Sequence, residues 1–167
     1  MDEKKESERA RMKNETTVER KSERELVVTR AFDYPAHIVF EAWTRAELFR
    51  TWWAPKSLGL TLLSCEIDAR VGGGYRLEFA VGGDAGTRMA FFGKYLEVTP
   101  PHRLVWTNDE GGDAGPVTTV TFDERGGKTL VIKHDLYPSK EALDADMGST
   151  EGMSETFDQL DEVLRGS

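Results

Sequence analysis

Three side chains of this sequence could take part in acid–base or nucleophilic chemistry, namely His134, Tyr75 and Cys65. His134 lies in the segment TLVIKHDL, where alternation would put it on the same face of a strand as Leu130 and Ile132. On that inward face an imidazole could bind a ligand or act as a general base. A core histidine that is hydrogen-bonded to the backbone is the alternative interpretation.

The spacing of the other reactive residues supports no metal, phosphate or thiol site. Cys65 is predicted to face inward, where a cysteine without a nearby base behaves as a small apolar residue. The histidines and Cys65 lack metal-binding spacings such as HxxxH or CxxC. The triple glycine at 72–74 lacks the lysine of a phosphate-binding loop and precedes a strand, so it predicts a turn. We therefore predict no metal site, no cofactor and no catalytic residues, and whether the protein is an enzyme stays open.

Aromatic and methionine side chains are better candidates for a ligand site. Aromatic rings supply area and shape to a pocket, and methionine adapts to varied ligands. Trp52 and Trp53 are adjacent and cannot both face inward from one helix, so one of them could form a gate. The same residues would form an ordinary core if the fold had no cavity. With His134, the predicted pocket lining consists of Trp43, Trp53, Tyr75, Leu77, Phe79, Met89, Phe91, Trp106, Phe122, Ile132, His134, Met153 and Phe157.

Helical and extended patterns predict the elements that position these residues. Residues 25–32 (ELVVTRAF) are typical of a strand, and Pro35 can begin a helix because the first turn needs no N–H from it. Apolar residues in 36–43 recur at i, i+3, i+4 and i+7, and a second short helix runs on to Trp53. Apolar residues in 153–164 recur at i, i+4, i+7 and i+11, which predicts a long amphipathic C-terminal helix.

Between these helices, period-two alternation predicts strands. Leu63, Cys65 and Ile67, for example, alternate with polar residues, which predicts one dry and one wet face. Clusters of glycine separate the segments and mark turns. The chain is therefore predicted to have an α+β fold: a first strand, two short helices, six further strands and the C-terminal helix. Its curved antiparallel sheet of six to seven strands would wrap around that helix and leave a cavity between them.

Composition and charge exclude several classes of function. The 167 residues suit one domain, and a net charge of −8 with scattered Lys and Arg argues against nucleic-acid binding. No run of about eighteen apolar residues occurs, so no membrane span is predicted. The single cysteine and the lack of a signal-peptide pattern predict a cytoplasmic protein. Residues 1–24 are highly charged and poor in apolar residues, so we expect a mobile N-terminal tail before a domain at 25–167.

Several blocks of the sequence resemble the activator-of-heat-shock-ATPase-like branch of the START/pollen-allergen superfamily (SRPBCC). They are ELVVTRAFDYPAHIVFEAWTRAELFRTWWAPKSLGL, CEIDARVGGGYRLEF, FFGKYLEVTPPHRLVWTND and EGMSETFDQLDEVL. The blocks occur in the family's order and run from about Glu25 to Leu164. The resemblance implies a helix-grip, ligand-binding domain at 25–167 with a cavity under the last helix. Many bacterial members have Gly-Trp early in that helix, where this chain has Gly152-Met153.

Three functions are compatible with these expectations. The first is binding of a small hydrophobic or amphipathic molecule in the cavity between the sheet and the C-terminal helix. The second is an enzyme of cyclase or hydrolase type that uses the same cavity, with His134 and either Tyr75 or Cys65 as its working groups. The third, which the family resemblance implies, is a co-chaperone-like domain that binds a heat-shock ATPase. A homodimer is compatible with each of the three.

Overall fold

The computed structural model describes residues 14–54, 56–81, 84–110, 112, 115–147 and 152–166. Within them, eight strands form an antiparallel sheet in the order β1-β2-β8-β7-β6-β5-β4-β3. The strands are β1 (Thr17–Arg20), β2 (Glu25–Phe32), β3 (Thr61–Ile67), β4 (Gly74–Val81), β5 (Asp84–Thr99), β6 (Arg103–Thr107), β7 (Val117–Arg125) and β8 (Lys128–Leu136). The helices are α1 (Ala36–Thr44), α2 (Ala46–Phe49), α3 (Lys140–Asp146) and α4 (Gly152–Arg165), with a short 3-10 turn at Lys56–Leu58.

The sheet has more strands than the predicted six to seven. The additional strand is β1, which lies in the segment that the sequence assigns to the mobile tail. Its side chains are all exposed, so no apolar alternation marks it, and it pairs with β2 from Thr17↔Thr29 to Arg20↔Leu26. Backbone hydrogen bonds at the sheet edge, rather than burial, therefore hold it in place. Residues 1–13 of the predicted tail lie outside the described residues.

The structure also has helix α3, which the sequence patterns do not predict. The α+β class, the two short helices after β2 and the long C-terminal helix are confirmed. Helices α1 and α4 pack against one face of the sheet, which we call the inner face. Trp43 of α1 is 1% exposed, and Phe157 and Leu160 of α4 are fully buried. The Trp43 ring lies 4.7 Å from Trp52, 5.9 Å from Trp106 and 6.1 Å from Phe157 between centroids. This aromatic cluster forms the centre of the core.

Strand β8 has apolar residues on both faces, so the sequence pattern does not say which face is internal. The structure shows which of its polar residues point inward. Lys133 pairs in register with Val28, and both Val28 and Val131 belong to the core. By alternation, Ile132 and His134 lie on the outer face. The prediction that Ile132 and His134 face inward is therefore wrong, because the period-two pattern of this strand fits either orientation.

Helix α4 has the predicted apolar stripe, since Phe157, Leu160 and Leu164 are buried. The polar residues Thr156 and Gln159 are also buried, and they form hydrogen bonds to the loop that follows α2. The helix therefore packs on the sheet through apolar contacts and on this loop through polar ones. No helix in the described parts of the chain has the length and apolar character that a membrane span needs.

Candidate functional site

A small hollow lies between helices α1 and α2 and strands β3 to β6. The described residues that line it include no charged side chain, and all but one are aromatic. The enclosed space is about 10 Å³, the room needed by about one water molecule. A larger ligand therefore requires the walls to move apart. The hollow is lined by Trp43, Phe49, Trp53, Ile67, Tyr75, Tyr95 and Trp106.

This lining includes part of the predicted pocket. The predicted residues found there are Trp43, Trp53, Tyr75 and Trp106. The residues that the prediction missed are Phe49, Ile67 and Tyr95. Two of these have a usable sequence signal, because Phe49 lies one helical turn before Trp53 and Ile67 alternates with polar neighbours.

The other predicted lining residues lie elsewhere. The core residues among them are Leu77, Phe79, Phe122 and Phe157. Phe91 packs edge-to-face against this core, Met153 is half-buried beside it, and Met89 is exposed. Helix α4 supplies none of the described lining, so the hollow lies beside that helix and not beneath it.

His134 forms a hydrogen bond with Glu25 on the outer face. Its Nε2 atom lies 2.9 Å from Oε1 of Glu25, and this hydrogen bond is the main cause that lowers the pKa of Glu25. An open groove beside the pair is lined in part by Val27 and Ile132. Partly exposed polar pairs of this kind contribute little to stability. His134 is thus a surface residue of the sheet and not part of the hollow.

The catalytic grouping of His134 with Tyr75 or Cys65 is consequently not formed, because His134 lies on the opposite face of the sheet. Burial raises the pKa of Tyr75 and, to a smaller extent, of Cys65, so both groups stay protonated at neutral pH. A protonated thiol without a base is a poor nucleophile. Within the described part of the chain, no group of three or more His, Cys, Asp or Glu side chains is arranged to hold a metal ion.

A chain of buried and half-buried polar groups crosses the inner face from β8 to β4. Lys133 Nζ donates to Oδ2 of Asp135 at 2.6 Å, and the Thr118 hydroxyl donates to the other oxygen of Asp135. Asn108 Nδ2 donates to Thr118 Oγ1 at 2.8 Å, and the Tyr75 hydroxyl lies 3.2 Å from Oδ1 of Asn108. Tyr75 therefore connects this polar chain to the hollow. The sequence does not reveal this chain, because the alternation in β8 predicts the opposite orientation of the strand.

The indole N–H groups of Trp43 and Trp52 differ in their hydrogen bonding. Trp52 Nε1 donates to the backbone carbonyl of Ala42 at 2.9 Å. Trp43 Nε1 is buried and has no acceptor among the described residues. Because buried donors are normally paired, Trp43 presents a free donor from a side chain that lines the hollow.

Helix α4 holds the segment that carries Trp53. Gln159 Nε2 donates to the carbonyl oxygens of Trp52 and Ala54, each at 2.9 Å. Gln159 Oε1 accepts from the backbone N–H of Lys56, also at 2.9 Å. We call this set of three hydrogen bonds the Gln159 clasp. It fixes one wall of the hollow to the C-terminal helix.

Solved structures of bacterial proteins share this fold. A crystal structure of a protein from Rhodobacter sphaeroides is 22% identical, with 91% of this chain and 99% of that chain covered and a TM-score of 0.79. A solution NMR structure from Staphylococcus epidermidis is 27% identical, with 90% and 94% covered and a TM-score of 0.73. A crystal structure from Chromobacterium violaceum is 28% identical, with 83% and 96% covered and a TM-score of 0.67. No curated protein matches the sequence significantly.

The family comparison covers most of the chain. The family described as Activator of Hsp90 ATPase homolog 1-like protein matches residues 33–165. That range runs from α1 to α4 and includes the lining of the hollow and the whole Gln159 clasp. The chain therefore belongs to the Activator of Hsp90 ATPase homolog 1-like family.

Proposed function

We propose that this protein binds a small hydrophobic or amphipathic molecule in the hollow between α1, α2 and strands β3 to β6. The observation that supports this most directly is the composition of the lining. It consists of six aromatic side chains and one isoleucine, and none of them is charged. Aromatic rings around an apolar space favour a flat ligand, because they offer large contact areas of fixed shape. The predicted cavity lay between the sheet and the C-terminal helix, whereas helix α4 lies beside this hollow.

Binding requires the hollow to open, because the present space is about 10 Å³. Trp53 is the wall best placed to move. It is half-buried in an irregular segment, whereas Trp43 is buried within a helix. The Trp53 ring stacks on Phe49 at 4.7 Å between centroids, and outward rotation of Trp53 would join the hollow to solvent. The Gln159 clasp limits the accompanying movement of the backbone.

Native mass spectrometry of the purified protein, followed by fluorescence titration with 2-acetylnaphthalene, tests the proposal. A retained small molecule or saturable one-to-one binding supports it. Trp53→Ala removes a wall and should bind the probe more tightly than the wild type. Val71→Ala, at a position that is 67% exposed and outside the lining, is the matched control and should bind as the wild type does. No retained mass and no saturable binding by the wild type or by Trp53→Ala would overturn the proposal.

A heat-shock ATPase partner is the second candidate, because the description of the family names an activator of the Hsp90 ATPase. Its test is independent of the hollow. The turnover of an Hsp90-type ATPase is measured with and without this protein, and an unchanged turnover together with no complex by size-exclusion chromatography excludes the partner.

A further inference from the structure

We propose, on the basis of the ligand-binding function above, that the Trp43 indole N–H makes the hollow selective for a neutral aromatic ligand with a hydrogen-bond acceptor oxygen. Ketones, esters and hydroxyl-bearing aromatics have this chemistry. A pure hydrocarbon would leave the N–H unpaired. A carboxylate would lose its hydration in a site whose lining has no cation.

Trp43 combines a central position, burial and a free donor. It is 1% exposed, it lines the hollow, and its Nε1 atom has no acceptor among the described residues. The side chains whose rings lie within 6.1 Å of its ring offer aromatic carbon but no oxygen. They are Trp52, Trp53, Trp106, Phe122 and Phe157. Nε1 is buried in the closed hollow, so it becomes accessible only when the walls part. An occupant that carries an oxygen would then supply the missing partner.

The charges around the hollow act against an anionic occupant. Burial is the main cause that raises the pKa of Tyr75, and the carboxylates of Glu110, Asp109 and Asp135 raise it further. A ligand carboxylate beside Tyr75 would meet the same negative field. The selected ligand is therefore neutral, and fatty-acid-like anions are rejected.

The test compares three ligands of nearly equal size. They are the ketone 2-acetylnaphthalene, the alkene 2-isopropenylnaphthalene, in which CH₂ replaces the carbonyl oxygen, and the anion 2-naphthoate. Dissociation constants are measured by calorimetry at neutral pH. The wild type should bind the ketone about tenfold more tightly than the alkene, equivalent to about 1.4 kcal/mol, and more tightly than the anion. In Trp43→Phe the ketone and the alkene should bind within about twofold of each other.

Two further variants separate loss of the donor from loss of volume. Site-specific replacement of Trp43 by 3-benzothienylalanine keeps the bicyclic shape and removes the N–H, so it should also abolish the preference for the ketone. Trp52→Phe is the matched control, because the N–H that it removes already donates to Ala42. It should lower stability and keep the preference.

The outcomes of this test distinguish the inference from the function on which it rests. Binding without a ketone preference in the wild type, or an equal preference in the wild type and the benzothienyl variant, overturns the role of Trp43 and leaves the binding function standing. Tight binding of 2-naphthoate overturns the neutrality of the ligand. Failure of all three ligands to bind the wild type overturns both the inference and the proposed function.

Discussion

Lys133 and Asp135 form an ion pair on the inner face of β8, with Nζ 2.6 Å from Oδ2. Their side chains are 11% and 4% exposed, and Thr118 donates to the second oxygen of Asp135. On the outer face of the same strand, His134 pairs with Glu25 at side-chain exposures of 28% and 29%. One strand thus carries a buried pair and a partly exposed pair on opposite faces, which permits a matched comparison.

Removing one member of the buried pair should cost much more stability than removing one member of the outer pair. Asp135→Leu leaves the Lys133 ammonium buried without its carboxylate, so we expect the free energy of unfolding to fall by about 3–5 kcal/mol. The double variant Lys133→Met/Asp135→Leu removes both charges and should recover most of that loss. Glu25→Gln is the control and should shift the urea midpoint only slightly. Equal losses for Asp135→Leu and Glu25→Gln in urea unfolding would contradict the inward orientation of Asp135.

The same strand shows which parts of the fold can be predicted from sequence. The order of the elements and the stripe on α4 are predictable, because helical periodicity and glycine-rich turns are local features. The orientation of β8 is not, since apolar residues lie on both faces and Lys133 and Asp135 satisfy each other only once the strand is packed. Strand β1 is not predictable either, because its exposed side chains leave no alternation. Backbone pairing with β2 and an ion pair between Arg20 and the distant Asp144 hold it.

The sequence predicts the aromatic character of the candidate site better than it predicts the position of the site in the fold. Aromatic content predicts an apolar, ring-lined space, and Trp43 and Trp106 of the predicted set line the small hollow. Under the described part of α4, Phe157 packs against Phe32 and Trp43 at about 6 Å between ring centroids, where the prediction placed a cavity. The Gln159 clasp joins residues more than a hundred positions apart, so no local pattern reveals it.

Strand β3 provides a test of register at a position where the predicted alternation fails. The pairing shifts between Leu62 and Ser64, and this bulge turns Leu63 outward so that it is 45% exposed. We expect Leu63→Lys to change the free energy of unfolding by less than about 0.5 kcal/mol. Ile67→Lys should destabilise the protein strongly, because it places an ammonium among the aromatic rings of the hollow. Thermal and urea unfolding measure the stability of the two variants. A comparable loss of stability in both would show that Leu63 also packs inward.

The Gln159 clasp should control both stability and access to the hollow. Gln159→Leu keeps the size of the side chain but leaves the carbonyls of Trp52 and Ala54 and the N–H of Lys56 without their partner. We expect a loss of about 1–3 kcal/mol, because the buried carbonyl of Trp52 is left unsatisfied, whereas the partly buried groups of Ala54 and Lys56 can bond to water. Amide exchange at Trp53 and Lys56 should become faster, and 2-acetylnaphthalene should associate more quickly.

Glu162→Gln, on the exposed side of the same helix, is the control for this variant and should leave exchange and association unchanged. Hydrogen–deuterium exchange followed by mass spectrometry measures the first effect, and stopped-flow fluorescence measures the second. A Gln159→Leu protein that is less stable but shows wild-type exchange at Trp53 would mean that the clasp does not restrain this wall.

Glu110 should make stability depend on pH. Burial raises the pKa of its carboxyl group, and Asp109 and Asp146 add to the rise, while the backbone N–H of Phe92 donates to it at 3.2 Å. The folded protein therefore holds this proton more tightly than the unfolded chain does. Its contribution to stability is fully present below the ordinary carboxyl range and is lost as pH rises through the raised pKa.

Glu110→Gln keeps an acceptor for the Phe92 N–H and removes the titration. We expect the variant to have a higher free energy of unfolding than the wild type near neutral pH, with the two curves converging below about pH 4. The difference should be modest because water screens the partly exposed carboxylate. Urea unfolding at several pH values measures it, with Glu41→Gln on the exposed side of α1 as the control. Parallel curves for Glu110→Gln and the wild type at every pH would show that the Glu110 carboxyl group titrates alike in the folded and unfolded states.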